Sequence, residues 1–348
     1  MHIIKFKNIC LFFLLTLILA FVSACSSSSS SEGGGDEEVT LSISSHIDGN
    51  HSQFTKMVEP LMEEIEEETD GRITVDYHTG GALGKPSQDF DIASSGTADI
   101  SIGQYGYTPN KFPLAGFNDL PFLGDSSVET TELAWDLYEE FPEFGEELEG
   151  TKVLWLFKID PYQIFTTGKK VEDIDDVKNL KIRTPTDEGS QLLENLGANP
   201  VSMDIGDIYE GMNRGTIDGA LLPASTVINY QLYEVTDYII EGNFMTVGLY
   251  AVMNQDTWDN LSEEDQEVID NLTGEEAALK AAEVYDADGE KGWEQVKEED
   301  IEIYELDDQE KEELEEEFQP MYDDWINKME GQGLPGQDIY DRAQEIIE

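Results

Sequence analysis

Residues 39–77 read VTLSISSHIDGNHSQFTKMVEPLMEEIEEETDGRITVDY. Residues 39–44 alternate apolar and polar side chains, the period-two pattern of a strand with one buried face. From Phe54 the period changes: Phe54, Met57, Val58, Leu61, Met62 and Ile65 share one helical face, with Pro60 placed to kink it. Asp70-Gly71 stops that helix, and residues 72–77 (RITVDY) return as a second strand. Moving outward, a glycine-rich turn, a short helix near 87–94 and a strand at 99–103 complete β-α-β-α-β. That order belongs to a parallel sheet covered by helices, and the fold class is α/β.

Further strands are expected at 151–157, 180–183 and 218–222, with helices at 188–196 and 207–214, so a second β/α module occupies about 161–248. A strand at 249–253 follows. Ser262 with Asp265 can cap a helix running through 283. A short strand at 301–306 precedes a late helix whose apolar face is Leu314, Phe318, Met321, Tyr322, Trp325 and Met329.

Seventy-six Asp and Glu stand against 20 Lys and Arg, a formal net charge of −56, and 39% of residues are hydrophobic. The apolar share supports a packed core, so the charge does not signal disorder. No basic cluster exists to meet phosphates, which excludes nucleic acid and argues against an anionic membrane surface. Runs such as Glu63–Glu68 admit two readings, a calcium-binding protein or a solvated acidic surface of the kind that works in high salt. No loop has the D-x-[DN]-x-[DN]-G pattern that gathers carboxylates around calcium, which favours the second reading and no metal.

Lys5 and Lys7 precede an apolar run from Ile9 to Val22, too short to span a bilayer comfortably and suited to a signal peptide over 1–24. Val22-Ser23-Ala24-Cys25 resembles a bacterial lipobox, with Cys25 as the lipidated residue, and 25–38 form a Ser/Gly tether. The alternative is a plain secretory signal followed by a free cysteine. Cys10 leaves with the signal, so thiol catalysis, disulfides and Cys-ligated zinc are excluded. No H-E-x-x-H, G-x-S-x-G or G-x-x-x-x-G-K-[ST] appears, and no cofactor is expected.

Three segments sharpen the reading. They are Gly80-Gly81-Ala82-Leu83-Gly84 with Gly96-Thr97-Ala98-Asp99, then Leu180-Lys181-Ile182-Arg183-Thr184-Pro185. The third is Met203-Asp204-Ile205-Gly206-Asp207-Ile208-Tyr209, running on to Gly215-Thr216-Ile217-Asp218-Gly219. In this order they resemble the DctP-type solute-binding proteins of TRAP transporters over about 39–330. The resemblance implies a two-lobed periplasmic-binding-protein-like fold, each lobe a mixed or parallel sheet flanked by helices, joined by hinge strands and a long helix. One lobe is then 39–160 plus about 249–290, the other 161–248 plus about 291–348. It also implies an organic anion as cargo, small and large integral-membrane subunits as partners, a sodium gradient as driving force, and no enzymatic activity. With Cys25 lipidated, the protein sits as a monomer on the outer face of the cell membrane. A sensing lipoprotein that partners a signalling receptor and an exported hydrolase are the alternatives.

The resemblance places the ligand carboxylate on Arg183, whose planar guanidinium matches two carboxylate oxygens. The alternative for Arg183 is a structural pairing with one of the many acids. Many members of the family carry a second Arg where Gln163 stands, and an Asn where Leu222 stands. A neutral amide and an aliphatic group there favour a monocarboxylate with an apolar or aromatic body. Tyr162 flanks Gln163. Gln104, Tyr105 and Tyr107 follow a strand at its carboxyl end, where α/β ligands gather, and His46 follows the first strand. Ser225, Thr226 and Phe244 complete the candidate ligand-binding set.

Overall fold

The computed structural model describes residues 38–347. The signal, Cys25 and nearly all of the tether lie outside the described residues. The strands are β1 (Val39–Ser45), β2 (Ile73–His78), β3 (Ile100–Gln104), β4 (Thr151–Lys158), β5 (Tyr162–Thr166), β6 (Lys181–Thr184), β7 (Asn199–Ser202), β8 (Gly219–Pro223), β9 (Tyr238–Glu241), β10 (Gly248–Asn254) and β11 (Glu302–Glu305).

They form two mixed sheets, β2-β1-β3-β10-β4 and β11-β9-β5-β8-β6-β7. In the first, β1 pairs parallel with β2 and β3, as the β-α-β-α-β reading requires, while β10 runs antiparallel between β3 and β4. In the second, β6 is parallel to β7 and β8, and β5 is antiparallel to β8 and β9. Such mixing is common in large sheets flanked by helices.

The chain passes between the sheets three times: at 159–161, at 242–247, and through the helix Gly274–Glu298, which packs on β4 and on the helices Ser127–Glu140 and Ser225–Asn229. The last crossing is tight. A Cβ at Gly292 would sit 2.1 Å from the Ala224 carbonyl oxygen, so only glycine lets the helix lie this close.

The helix expected from Ser262 through 283 is two helices. Ser262 does cap Glu263–Leu272, its Oγ accepting from the Asp265 N–H at 3.1 Å. Gly274 then takes φ +74°, a left-handed conformation no helix continues through, and a second helix starts there. Pro60 comes directly after a π-helical turn at Phe54–Val58 that runs on without a break into Glu59–Glu68, so the irregular turn sits where the proline removes a backbone donor from the helix. The C-terminal helices Asp308–Gln332 and Gly336–Ile347 touch both halves of the molecule. Trp325 donates to the Pro113 carbonyl at 3.2 Å and Arg342 meets Glu140 at 2.7 Å, so these helices are not held by the second half alone. Among the described residues no helix is long and apolar enough to cross a membrane.

Candidate functional site

Arg183 lies in β6 and is 1% exposed. Its Nε donates to the Met203 carbonyl at 2.9 Å and its Nη2 to the Tyr107 hydroxyl at 3.4 Å. Among the described residues no carboxylate oxygen lies within 4.0 Å of it. The acid pairing allowed by the sequence is therefore not made. A buried guanidinium without a counter-charge is costly, because its hydration is lost and nothing replaces it. Burial pushes the hydroxyls of Tyr107, Tyr162 and Tyr230 upward, and the nearby Arg183 charge pulls each back.

Those three tyrosines line one narrow cavity between the strand ends of the two sheets. The first half contributes His46, Ile47 and His51 after β1, Gln104 at the end of β3 and Tyr107 just after it. The second contributes Pro223 at the end of β8, Ser225, Thr226 and Tyr230 after it, with Tyr162 from β5, and Tyr285 of the helix Gly274–Glu298 closes one wall. Most of these positions sit at carboxyl ends of strands, where unpaired backbone and loops make a site in open α/β sheets. The space is about 40 Å³, room for a few waters, so its walls must part to admit an organic acid.

His46 Nδ1 is 2.6 Å from Asp89 Oδ2, and its ring stands edge-on to Tyr107 at 5.3 Å. Burial pushes Asp89 upward while the His46 hydrogen bond holds it back. His51 packs 6.1 Å from Tyr230 and 6.0 Å from Tyr285, and burial lowers its pKa to about 4. The Gln104 side-chain nitrogen is buried without a partner. Ser225 is committed to the structure: its Oγ and N–H donate to Asp160 at 2.5 and 2.9 Å, and burial lifts that carboxyl to about 7.

Of the residues singled out from the sequence, Arg183, His46, Gln104, Tyr107, Tyr162, Ser225 and Thr226 are brought to or beside this cavity. Gln163, Leu222, Tyr105 and Phe244 are not. Neighbours on a strand face opposite ways, so Tyr162 reaches the cavity and Gln163 does not. Gln163 accepts from the N–H groups of Gly242 and Asn243 and donates to the Pro161 carbonyl and to Asn243, tying down a crossing between the sheets. Leu222 stands opposite Gln163 across the β5–β8 pair and packs in a core with Phe165, Ile208 and Met212. Tyr105, two residues from Tyr107 on a 3-10 turn, points to Phe112 and Tyr250, each at 5.1 Å. Phe244 is fully buried against Phe122. Sequence reasoning missed His51, Tyr230 and Tyr285, which long-range packing brings in without a local signal.

A wider groove of about 590 Å³ runs between the helices Glu59–Glu68 and Gly274–Glu298. Its Lys56 and Lys291 pair with Asp288, and Lys280 pairs with Glu276, so no lysine there is left for a ligand anion. Among the described residues no three His, Cys, Asp or Glu side chains gather as metal ligands.

The model of the family DctP, bacterial extracellular solute-binding protein family 7, matches residues 44–328. The chain is similar to the outer membrane transporter protein TsaT of Comamonas testosteroni, 26% identical over 313 residues, covering 88% of this chain and 91% of that one. It is similar to the crystal structure of a TRAP solute-binding protein from Rhodoferax ferrireducens in complex with copurified benzoate. That match has a TM-score of 0.84 and 27% identity over 89% of this chain and 97% of the other. A TRAP periplasmic solute-binding protein from Bordetella bronchiseptica with bound (R)- and (S)-mandelate matches at TM-score 0.83 and 27% identity, covering 89% and 98%.

Proposed function

The chain belongs to bacterial extracellular solute-binding protein family 7, DctP, the solute-binding proteins of TRAP transporters, and on that premise we propose that it carries a monocarboxylate with an aromatic or apolar body. One observation carries this reading: a fully buried Arg183 with no carboxylate beside it in a chain of 76 acids. The counter-charge comes from the cargo, whose two oxygens face the planar guanidinium. The body of the acid lies among Ile47, Ile159, Ile205 and Leu249 and the rings of Tyr107, Tyr162, Tyr230 and Tyr285. Among the described residues no lysine or arginine lines the cavity, and Arg183 stands just behind it against the Tyr107 hydroxyl, which favours one carboxylate over two. The benzoate and mandelate of the similar structures are acids of this class.

The mechanism is capture by closure. The acid docks on Arg183 while the halves are apart. The two lobes, each built on one of the two sheets, then close over it by bending at the three crossings. Tyr162 and Tyr285, next to two of those crossings, transmit the occupancy of the cavity. The closed form delivers the acid to the small and large membrane subunits. Outside the cell membrane the protein is held by lipid on Cys25, supported by the small residues before it and the tether after it. A net charge of −56 keeps copies apart and supports a monomer.

A thermal-shift screen in high salt against aliphatic and aromatic monocarboxylates, dicarboxylates and sugar acids tests the cargo class, since binding to the folded state raises the melting temperature. Shifts confined to monocarboxylates with an apolar body are expected, and shifts confined to dicarboxylates or sugar acids would contradict it. The anchor has its own test: Cys25→Ser moves the protein from the membrane fraction to the soluble one if lipid holds it there.

A further inference from the structure

We infer that the two histidines of the cavity form a donor–acceptor pair that reads a hydroxyl group on the bound acid, so the cargo is a hydroxy acid and Asp89 is a positioning residue that sets the sense of the contact. This rests on the reading of Arg183 as the carboxylate anchor.

His46 and His51 line the same cavity, and the Nδ1 atom of each is already engaged, in opposite senses. His51 Nδ1 lies 3.1 Å from the Gln53 backbone N–H, a group that can only donate. Nδ1 therefore accepts, the ring proton sits on Nε2, and burial keeps the ring neutral down to about pH 4. His51 turns a donor toward a bound molecule. His46 Nδ1 lies 2.6 Å from a carboxylate oxygen of Asp89, a group that accepts. Nδ1 therefore carries the proton, and in that tautomer Nε2 presents its lone pair. Neither Nε2 has a hydrogen-bond partner among the described residues.

Gln104, 5% exposed, adds a second buried donor with no partner. One oxygen satisfies this set. An alcohol or phenol donates its proton to His46 and accepts from His51 or Gln104. A carbonyl or a second carboxylate has no proton for His46, and a C–H leaves the buried Gln104 nitrogen dry and gives the two Nε2 atoms nothing in place of water, which is costly. The reader is also close to the anchor: the His46 ring is 5.3 Å from that of Tyr107, whose hydroxyl receives Arg183 at 3.4 Å. A small molecule can touch both.

The test uses pairs of acids that differ by one hydroxyl, mandelate against phenylacetate and 3-hydroxybenzoate against benzoate, titrated calorimetrically into the protein and its variants. The wild type is expected to prefer the hydroxylated member of at least one pair by about tenfold or more. In Asp89→Asn the amide can donate to Nδ1 and turn the His46 Nε2 into a donor, and the preference falls to within about threefold while the unhydroxylated acid binds nearly as before. A merely structural Asp89 would weaken both members together and leave the ratio unchanged. If Asp89→Asn unfolds, His51→Asn carries the same readout from the other side of the cavity. A wild type without preference in either pair, or a preference that persists in the variant, overturns the hydroxyl reading. If Arg183→Met still abolishes binding in that case, the carboxylate anchor stands. If none of the four acids binds, both fall.

Discussion

Arg183 and Lys158 are each 1% exposed, yet the fold deals with the two buried cations in opposite ways. Lys158 donates to the Asn118 carbonyl, and burial lowers its pKa to about 7 while the nearby Asp119 holds it up. Burial thus favours its uncharged amine. Asp119 meets it partway, since burial pushes that carboxyl upward and the Gly248 N–H donates to it at 3.1 Å. A guanidinium has no such escape, because it stays protonated at any pH the protein meets. The lysine cluster is complete within the chain, whereas the arginine has no carboxylate beside it among the described residues, the partner we propose the cargo supplies.

The contrast is sharpest in substitution. Arg183→Met should weaken the best acid about a hundredfold or more, since a desolvated charge pair is lost. The melting temperature of the free protein should hold or rise, because an unpaired buried charge is removed. Lys158→Met should leave affinity within about threefold. Calorimetry and melting curves on both variants decide it, and equal affinity losses would erase the distinction between the two cations.

Salt separates the surface from the cavity. Raising NaCl from low concentration to about 2 M should lift the melting temperature by about 10 °C, because it screens repulsion among the exposed acids. Affinity for the acid should change less than about tenfold, because a buried pair is screened far less. A flat melting curve, or affinity that collapses with salt, would break that separation.

The buried acids give a pH dependence. Burial raises Glu147 and Asp160 to about 7, so the folded state holds protons the unfolded chain has released, and stability present below about pH 4 is lost as pH rises toward 7. His51, lowered to about 4, works the other way between about 4 and 6.5. Two carboxyls outweigh one imidazole, and the melting temperature should be about 5 °C higher at pH 5.5 than at pH 7.5. Glu147→Gln should flatten part of that slope, and a melting temperature that climbs with pH would refute it.

The smallest effect falls on Gln163. Three of its four hydrogen bonds hold the crossing at 242–247 and the fourth reaches Pro161 in the crossing at 159–161, so Gln163→Ala should lower the melting temperature by about 3 °C and leave affinity within about threefold. A large affinity loss without a stability loss would return Gln163 to the site.

Much of the fold is legible because its patterns are local. The alternation of VTLSIS and the helical face from Phe54 to Ile65 each need only a dozen residues. The antiparallel insertion of β10 between β3 and β4 is not local, since nothing in its apolar run names its neighbours. Arg183 is legible from its motif, and His46, Gln104 and Tyr107 from their places after strands. Choosing between Tyr105 and Tyr107, or Tyr162 and Gln163, depends on turn geometry and strand register, which decide the face each side chain takes. His51, Tyr230 and Tyr285 come from segments far apart in sequence and meet only in the fold.

The central claim is that the missing partner of Arg183 is the carboxylate of the cargo. The most direct measurement is a double-mutant cycle: the best-binding acid and its primary amide, each titrated into the wild type and Arg183→Met. In the wild type the amide should bind about a hundredfold more weakly than the acid, and in Arg183→Met the two should bind alike. A wild type that binds the amide as tightly as the acid, or an Arg183→Met protein that still favours the acid, would contradict the claim.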